Sequence, residues 1–201
     1  IEVIIELMKL DFPEPVAPAR AVLDDIGADA IKTGMLATAD VVRLVARVLK
    51  DAAPDIPLVL DPVMVATSGD VLLAEDAVSA VRDALLPLAA LVTPNAPEAE
   101  TLTGMKVTNP GEQAEAGRAL VEAGAKAALV KGGHLSGPVV HDVLVTAKEM
   151  RVFESPRIDT TNTHGTGCTL SSAIASFLAL GLEETSAVEE AKNYVYEAIA
   201  D

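Results

Sequence analysis

The sequence predicts an α/β fold with a mostly parallel sheet and an antiparallel hairpin at one edge. Short runs rich in Val, Leu and Ile alternate along the chain with helical patterns, as is typical of parallel sheets. Half of the 201 residues are hydrophobic and 22% are charged, which is a globular composition. Late in the chain, two strand patterns follow each other across a short polar link, which indicates a hairpin.

The first half of the chain predicts two strands and two helices. Residues 30–34 end a strand, and Thr38 then caps a helix. Residues 58–60 form a buried strand that ends at Asp61. After a loop over 66–70, a helix runs from about residue 75 to 86. The first of these helices has an apolar face made of Val41, Val45 and Val48, flanked by Val42 and Leu49.

The second half continues the alternation. The predicted strands are 91–93, 127–130 and the hairpin 139–145 with 150–153, and the predicted helices are 96–102, 109–124, 169–180 and 184–200. Asn109 and Pro110 suit a helix start, and Gly124 suits its end. No repeat or linker interrupts the pattern, so we expect one domain over residues 1–201.

The charge balance narrows the range of partners. The chain has 30 acidic and 15 basic residues, a net charge of −15, which repels nucleic acid and anionic lipid. An anionic substrate therefore needs a local site that overcomes this charge. Cys168 is the only cysteine, which fits a reducing cytoplasm. Residues 1–10 are too short and too charged to span a bilayer.

Polar residues collect where the predicted strands end. Asp61, Asn95 with Glu98, Lys131 and the loop 162–168 all follow a strand or precede a helix at this edge. Ligands of open α/β sheets bind at the carboxyl ends of the strands. The combination predicts a nucleotide-phosphate site.

The sharpest single motif is Gly165-Thr166-Gly167-Cys168. Its glycines can expose consecutive N–H groups at a helix N-terminus, which suits a transferring phosphoryl group. The same turn is also compatible with an ordinary helix start. Neither a P-loop nor a dinucleotide-binding fingerprint is present, because no Gly-x4-Gly-Lys-Ser/Thr occurs and Leu170 stands at the third glycine position.

Each of the other candidates allows two interpretations. We expect the helix N-terminus to lower the pKa of Cys168, so that its sulfur orients an attacking hydroxyl; it can equally be a small buried side chain. Glu98 can hold a magnesium-bound water or simply cap a helix with Asn95. Lys131 can contact a phosphate or be solvated, and Asp61 can bind metal or cap a turn.

Six segments, in order, resemble the motifs of the hydroxymethylpyrimidine/phosphomethylpyrimidine kinases of thiamine biosynthesis. They are IKTGML (31–36), LDPVMV (60–65), SGD (68–70), TPN (93–95), KGGH (131–134) and NTHGTGCTLS (162–171). The resemblance covers about residue 27 to the end. It implies a three-layer α/β/α ribokinase-like fold and two successive ATP-dependent, magnesium-dependent phosphorylations, of hydroxymethylpyrimidine and then of its monophosphate.

The resemblance also implies roles for individual residues. Gly165, Thr166, Gly167 and Cys168 would form the anion hole, with Cys168 as the catalytic group and part of the substrate site. Lys131, Asn95, Thr166 and Gly167 would bind ATP, Asp61 and Glu98 would serve the Mg²⁺ site, and Met35 would line the pyrimidine pocket. A homodimer or higher oligomer in the cytoplasm is typical of this family.

Two departures from the family pattern leave alternatives open. The family's N-terminal strand and glycine-rich substrate segment have no counterpart, nor does its C-terminal tail, so we expect a truncated chain. Pyridoxal kinases share much of the same machinery. A pyridoxine/pyridoxal kinase and a non-catalytic ligand-binding relative are therefore the alternative hypotheses.

Overall fold

A computed structural model describes residues 4–7, 17–64, 74–160 and 165–200, and its centre is a seven-stranded sheet. The strands are β1 (Ile4–Leu7), β2 (Ala30–Thr33), β3 (Leu58–Leu60), β4 (Leu91–Val92), β5 (Ala127–Val130), β6 (Val139–Thr146) and β7 (Met150–Pro156). They stand side by side in chain order. β1 to β5 are parallel, and β6 and β7 continue the sheet antiparallel. The predicted parallel sheet with an antiparallel edge hairpin is confirmed.

Helices cover both faces of this sheet. They are α1 (Ala17–Asp25), α2 (Ala39–Ala52), α3 (Glu75–Ala80), α4 (Ala96–Thr103), α5 (Pro110–Glu122), α6 (Thr166–Ala179) and α7 (Glu184–Ala200). Successive side chains of the strands point to opposite faces. Ile31 and Leu60 join a core with α2 to α5, whereas Val59 and Leu129 join a core with α6 and α7. The result is the three-layer α/β/α arrangement that was predicted.

The order of the strands explains which helices lie together. Each parallel strand is followed by its neighbour, and right-handed crossovers between such neighbours put every connecting helix on the same face. The two helices that follow the hairpin are free of this constraint and cover the other face. This places the N-terminus of α6 beside the carboxyl ends of the parallel strands.

Helix ends agree with the sequence except where local geometry intervenes. Thr38 caps α2 by accepting a hydrogen bond from Val41 N–H at 3.3 Å. α3 does not run on to residue 86 as predicted. It widens into a π-helical turn (Val81–Leu85) and then a 3₁₀ turn (Leu86–Leu88). Pro87 lies in that last turn, and a regular α-helix cannot continue through its ring.

Three expectations need adjustment. Val41 and Val48 of α2 are only half-buried. The buried residues of this helix are Ala39, Val42, Val45, Ala46 and Leu49. α6 begins at Thr166, three residues before the predicted start. The sequence patterns did not predict β1, which pairs with β2 along four residues.

The loop over 66–70 lies outside the described residues. Within the described ranges no helix is long and apolar enough to cross a membrane.

Gly117 of α5 provides a test of how closely helix and sheet pack. A Cβ atom there would lie 2.7 Å from Val145 Cγ2 of β6, closer than real Cβ contacts. We expect Gly117→Val to lose about 1–3 kcal/mol of unfolding free energy through overpacking. Urea denaturation measures it. Glu115→Val, exposed on the same helix, controls for β-branching and should cost less than about 1 kcal/mol.

Candidate active site

Asp61 lies at the centre of a polar cluster directly after β3. Its side chain is only 2% exposed. Oδ1 accepts a hydrogen bond from the Thr93 hydroxyl at 3.3 Å, and Oδ2 accepts one from the Ser171 hydroxyl at 3.1 Å. Lys131 Nζ lies 3.4 Å from Oδ1. One buried carboxylate therefore joins the ends of β3, β4 and β5 to α6.

Lys131 follows β5 and points to the same place. Its backbone N–H donates to the carbonyl oxygen of Pro94 at 2.8 Å. Asn95 and Lys131 form an isolated parallel bridge there, three positions beyond the pair of Val92 with Ala128. Its side chain is 14% exposed, so the ammonium group is largely but not wholly buried. A Cβ atom on Gly167 would lie 3.3 Å from Nζ. The ammonium group thus lies between the Asp61 carboxylate and the first turn of α6.

The loop after Lys131 is tied down by one arginine. The guanidinium group of Arg157 donates to the carbonyl oxygens of Gly133, Leu135 and Gly137 at 3.0, 2.5 and 2.7 Å. These are charge-assisted bonds from a planar donor, which fix direction as well as distance. The backbone beside Lys131 is consequently held from the hairpin side of the sheet.

Asn95 and Glu98 form the capping box that their spacing suggests. The Asn95 side chain accepts from Glu98 N–H at 2.9 Å, and Glu98 Oε2 accepts from Asn95 N–H at 2.8 Å. Glu98 is 3% exposed. Burial raises its pKa above the ordinary value, and the charge of Asp61 adds to this, while Lys131 and the Asn95 N–H oppose it. The Glu98 carboxylate therefore caps α4 and also lies near the charges of Asp61 and Lys131.

The first turn of α6 faces the cluster through backbone atoms. Gly165 precedes it at φ 81°, in the left-handed region that favours glycine. The N–H group of Thr169 donates to the carbonyl oxygen of Gly165 at 2.9 Å. Helix geometry therefore leaves the N–H groups of Gly167 and Cys168 directed out of the N-terminal end, where they favour anions.

Cys168 does not behave as the helix N-terminus alone suggests. Burial raises the pKa of its thiol, and the charge and hydrogen bonding of Asp61 raise it further. Lys32 and Lys131 act in the opposite direction without prevailing. The expected lowering of the Cys168 pKa is therefore wrong, because desolvation and a neighbouring carboxylate outweigh the cations. The group at this position is therefore a neutral thiol near the Asp61 carboxylate.

Three residues of the cluster were given no role from sequence. Thr93 and Ser171 hold the Asp61 carboxylate. The Ser171 hydroxyl oxygen also lies 3.2 and 3.0 Å from the carbonyl oxygens of Gly167 and Cys168, which are alternative acceptors for its one proton. Lys32 in β2 is fully buried and lies near enough to influence the thiol. A polar side chain in an apolar run is the available signal for such residues. Lys32 in a four-residue buried strand and Ser171 beside Leu170 both carry that signal.

Not every candidate residue joins the cluster. Met35 is half-buried and packs against the core on the α2 side, so its part in a substrate pocket stays a prediction. Asp61, Glu98, Asn95 and Lys131 adjoin one another through direct contacts or charge, as expected of residues at strand ends. The SGD motif (68–70) and residues 162–164 of the last motif lie outside the described residues.

The carboxylates fit a magnesium ion brought with a nucleotide better than a dedicated metal cage. Among residues 4–7, 17–64, 74–160 and 165–200, no group of three or more His, Cys, Asp or Glu side chains could hold a metal. Asp61 and Glu98 do offer hard oxygen atoms in a buried setting where their like charges disfavour each other. Mg²⁺ takes one or two carboxylates plus waters and phosphates, and it would relieve that repulsion.

Comparison with known proteins gives a consistent result. A family model described as phosphomethylpyrimidine kinase matches residues 14–201. A hydroxymethylpyrimidine/phosphomethylpyrimidine kinase of Streptomyces coelicolor is 47% identical over 91% of this chain, which spans 67% of that relative. The crystal structure of phosphomethylpyrimidine kinase from Clostridium difficile 630 superposes with a TM-score of 0.79 at 41% identity, covering 90% of this chain and 73% of that one.

A second kind of solved structure is also similar. An ADP complex of the pyridoxal kinase of Bacillus subtilis superposes with a TM-score of 0.84 at 37% identity, covering 90% of this chain and 69% of that one. The chain thus spans about two thirds to three quarters of the length of these relatives. Both kinds of kinase share the fold, which agrees with the expected ribokinase-like architecture.

The raised pKa of Cys168 can be tested directly, since it is the only cysteine. We expect the rate of alkylation by iodoacetamide to rise with pH with a midpoint above the ordinary thiol value, because only the thiolate reacts. Mass spectrometry of quenched samples across pH 6 to about 10.5 gives the profile. The urea-unfolded chain is the control. A native midpoint below that of the unfolded chain would contradict the assignment.

Proposed function

Because this chain belongs to the phosphomethylpyrimidine kinase family, we propose that it transfers the γ-phosphoryl group of ATP to hydroxymethylpyrimidine and then to the resulting monophosphate. The oxygen of the acceptor forms the new bond to phosphorus, the bond to the β-phosphate oxygen breaks, and ADP leaves. In the first transfer the hydroxyl proton passes to an oxygen of the transferred phosphoryl group. The observation that carries this proposal is the position of the Lys131 ammonium group, between the Asp61 carboxylate and Gly167 at the start of α6.

The polar cluster around Asp61 provides positive charge and N–H donors in a chain whose overall charge is strongly negative. A chain of net charge −15 must bind an anionic nucleotide against its own field. Lys131 supplies a cation, and the N–H groups of Gly167 and Cys168 supply fixed dipoles at the same place. Preorganised donors of this kind stabilise charge as it develops on transferring oxygens. We assign Lys131, Asn95, Thr166 and Gly167 to ATP binding, and Gly165 to the turn that aims the donors.

Cys168 acts in this proposal as a thiol that orients the acceptor hydroxyl. Burial and the nearby charge of Asp61 keep this thiol protonated by raising its pKa, and the lone pairs of a neutral sulfur can still accept a hydrogen bond from the substrate hydroxyl. Phosphoryl transfer passes through a loose transition state, so positioning of the hydroxyl matters more than its early deprotonation. A raised thiol pKa is compatible with that role, whereas it would weaken a thiolate base.

Asp61 and Glu98 are the residues that would hold Mg²⁺. When bound there, the ion would neutralise charge on the β- and γ-phosphate oxygens. Lys131 would hold the Asp61 carboxylate in place on one side, and Ser171 on the other. Small-molecule substrates, a cytoplasmic location and a homo-oligomeric state belong to the same proposal.

Pyridoxal is the second candidate substrate, favoured by the structural likeness to the pyridoxal kinase of Bacillus subtilis. A direct test is a mass-spectrometric product assay with this chain, Mg·ATP, and hydroxymethylpyrimidine and pyridoxal in parallel. Monophosphate and then diphosphate from the pyrimidine are the expected products. Faster product from pyridoxal would favour the second candidate. Binding of the pyrimidine by calorimetry without product would identify a non-catalytic ligand-binding relative and end the kinase proposal.

Cys168→Ala tests the role of the thiol. We expect kcat to fall at least about tenfold while the affinity for ATP changes less than about twofold, because the thiol acts on the acceptor hydroxyl and not on the nucleotide. Steady-state kinetics and calorimetric titration with ATP provide the two numbers. Unchanged kcat would reduce Cys168 to a packing residue.

Glu98→Gln separates the capping role from the metal role. Gln at this position keeps the capping box but carries no charge. We expect the variant to need at least about tenfold more Mg²⁺ for half-maximal turnover, because a carboxylate ligand is lost. An unchanged requirement for Mg²⁺ would leave Glu98 as a cap only.

The same variant has a second readout in stability against pH. Since the pKa of Glu98 is raised in the folded chain, its contribution to stability is full below its ordinary pKa of 4.5 and is lost as pH rises through the folded value. The variant has nothing to titrate there. The Tm of the variant relative to that of the wild type should therefore increase as pH rises from 4.5 through the folded pKa of Glu98.

A further inference from the structure

A buried ion pair lies beside the Lys131 loop, between β6 and α7. Asp142 of β6 is 6% exposed, and its Oδ1 accepts a hydrogen bond from Gly132 N–H at 2.8 Å. Its Oδ2 pairs with the ammonium group of Lys192 on α7, whose side chain is 14% exposed. The carboxylate thus joins the residue after Lys131 to α7, which packs beside α6 on the same face of the sheet.

Gly132 packs so closely against β6 that there is no room for a side chain. A Cβ atom there would lie 2.1 Å from the carbonyl oxygen of His141, so only glycine allows this approach of the loop to β6. The side-chain amide of Gln113 donates to the carbonyl oxygens of Val130 and His141 at 2.8 and 2.9 Å, closing the junction of β5 and β6 from the other face. Displacement of Asp142 would therefore displace the residue next to Lys131.

The pair combines two physical effects. A hydrogen bond from a backbone N–H to a carboxylate is charge-assisted and is stronger than one between neutral groups. A buried carboxylate is destabilising unless a cation balances it, and Lys192 supplies that cation. The Lys131 backbone is then held directly by the Pro94 carbonyl oxygen, after the end of β4, and through Gly132 by Asp142 of β6. The bonds from Arg157 fix the loop that follows.

We propose that Asp142 and Lys192 are positioning residues for the nucleotide site, which fix the direction of the Lys131 ammonium group through Gly132. This inference rests on the proposed function, because it assigns Lys131 to the phosphates of ATP. Neither residue touches the reacting atoms. Their effect belongs to binding and alignment of the nucleotide and not to the acceptor.

Asp142→Ala is the principal test, measured in the full chain. We expect the KM for ATP to rise about tenfold while the KM for the pyrimidine changes less than twofold, because only the nucleotide contact is misplaced. Glu189→Ala is the matched control. It breaks the exposed pair that Arg151 and Glu189 form between β7 and α7, one turn before Lys192, and should leave both constants unchanged. An equal effect of the two variants would overturn the inference.

A second background distinguishes positioning from general destabilisation. If Asp142 acts through Lys131, Asp142→Ala should not raise the KM for ATP further in a Lys131→Met chain, since the contact it positions is already gone. A further rise in the KM for ATP in the Lys131→Met chain would contradict the inference.

Asp142→Asn is the variant to use if Asp142→Ala does not fold, because it keeps an acceptor for Gly132 N–H. It should raise the KM for ATP about threefold, as a weaker, neutral hydrogen bond allows, and no rise would equally overturn the inference.

Amide hydrogen exchange separates this inference from the kinase proposal. Absence of product from the wild-type chain would overturn the proposed function but leaves the backbone constraint measurable. Asp142→Ala should speed exchange in the segment 131–135 relative to wild type and to Glu189→Ala, because Gly132 N–H loses its acceptor. Unchanged exchange in that segment would overturn the positioning role, whatever the activity.

Discussion

The burial of the Asp61 carboxylate is the constraint on which the rest of the site depends. A charge that is 2% exposed is tolerated only when donors surround it, and here they come from β4, β5 and α6. Each donor that satisfies Asp61 is thereby fixed in place itself. Lys131 reaches the first turn of α6, and the thiol of Cys168 is held near both. One requirement, that a buried charge be satisfied, assembles the candidate active site.

The fold was largely predictable because its signals are local and repeated. Strands buried on both faces appear as short apolar runs, as in Leu58–Leu60 and Ala127–Val130, and the caps at Thr38 and Asn109 mark helix starts. β1 was missed because charged residues interrupt its surroundings. The end of α3 depends on how Pro87 is accommodated, which no periodicity reveals. The sequence pattern predicts that a helix or strand is present, whereas packing decides where it ends.

For the site, sequence located the residues but not their mutual effects. Asp61, Glu98 and Lys131 were recognisable because polar side chains follow buried strands. The pKa of Cys168 was not, since its direction depends on the balance between a helix end, burial, one carboxylate and two lysines. The same holds for Asp142 and Lys192, which lie fifty positions apart and meet only through the packing of α7 on the sheet. Pairings of this kind need coordinates.

The chain-order arrangement of the strands has a consequence for biosynthesis. Each parallel strand can add to the one before it as the polypeptide leaves the ribosome, since no later strand must be inserted between earlier ones. Asp61, however, meets Ser171 across 110 positions of chain. A nascent chain can thus hold a nearly finished sheet while its central carboxylate still awaits the helix that completes it. Within the described residues, the parallel sheet can therefore form before the helix that completes the polar cluster around Asp61 has been synthesised.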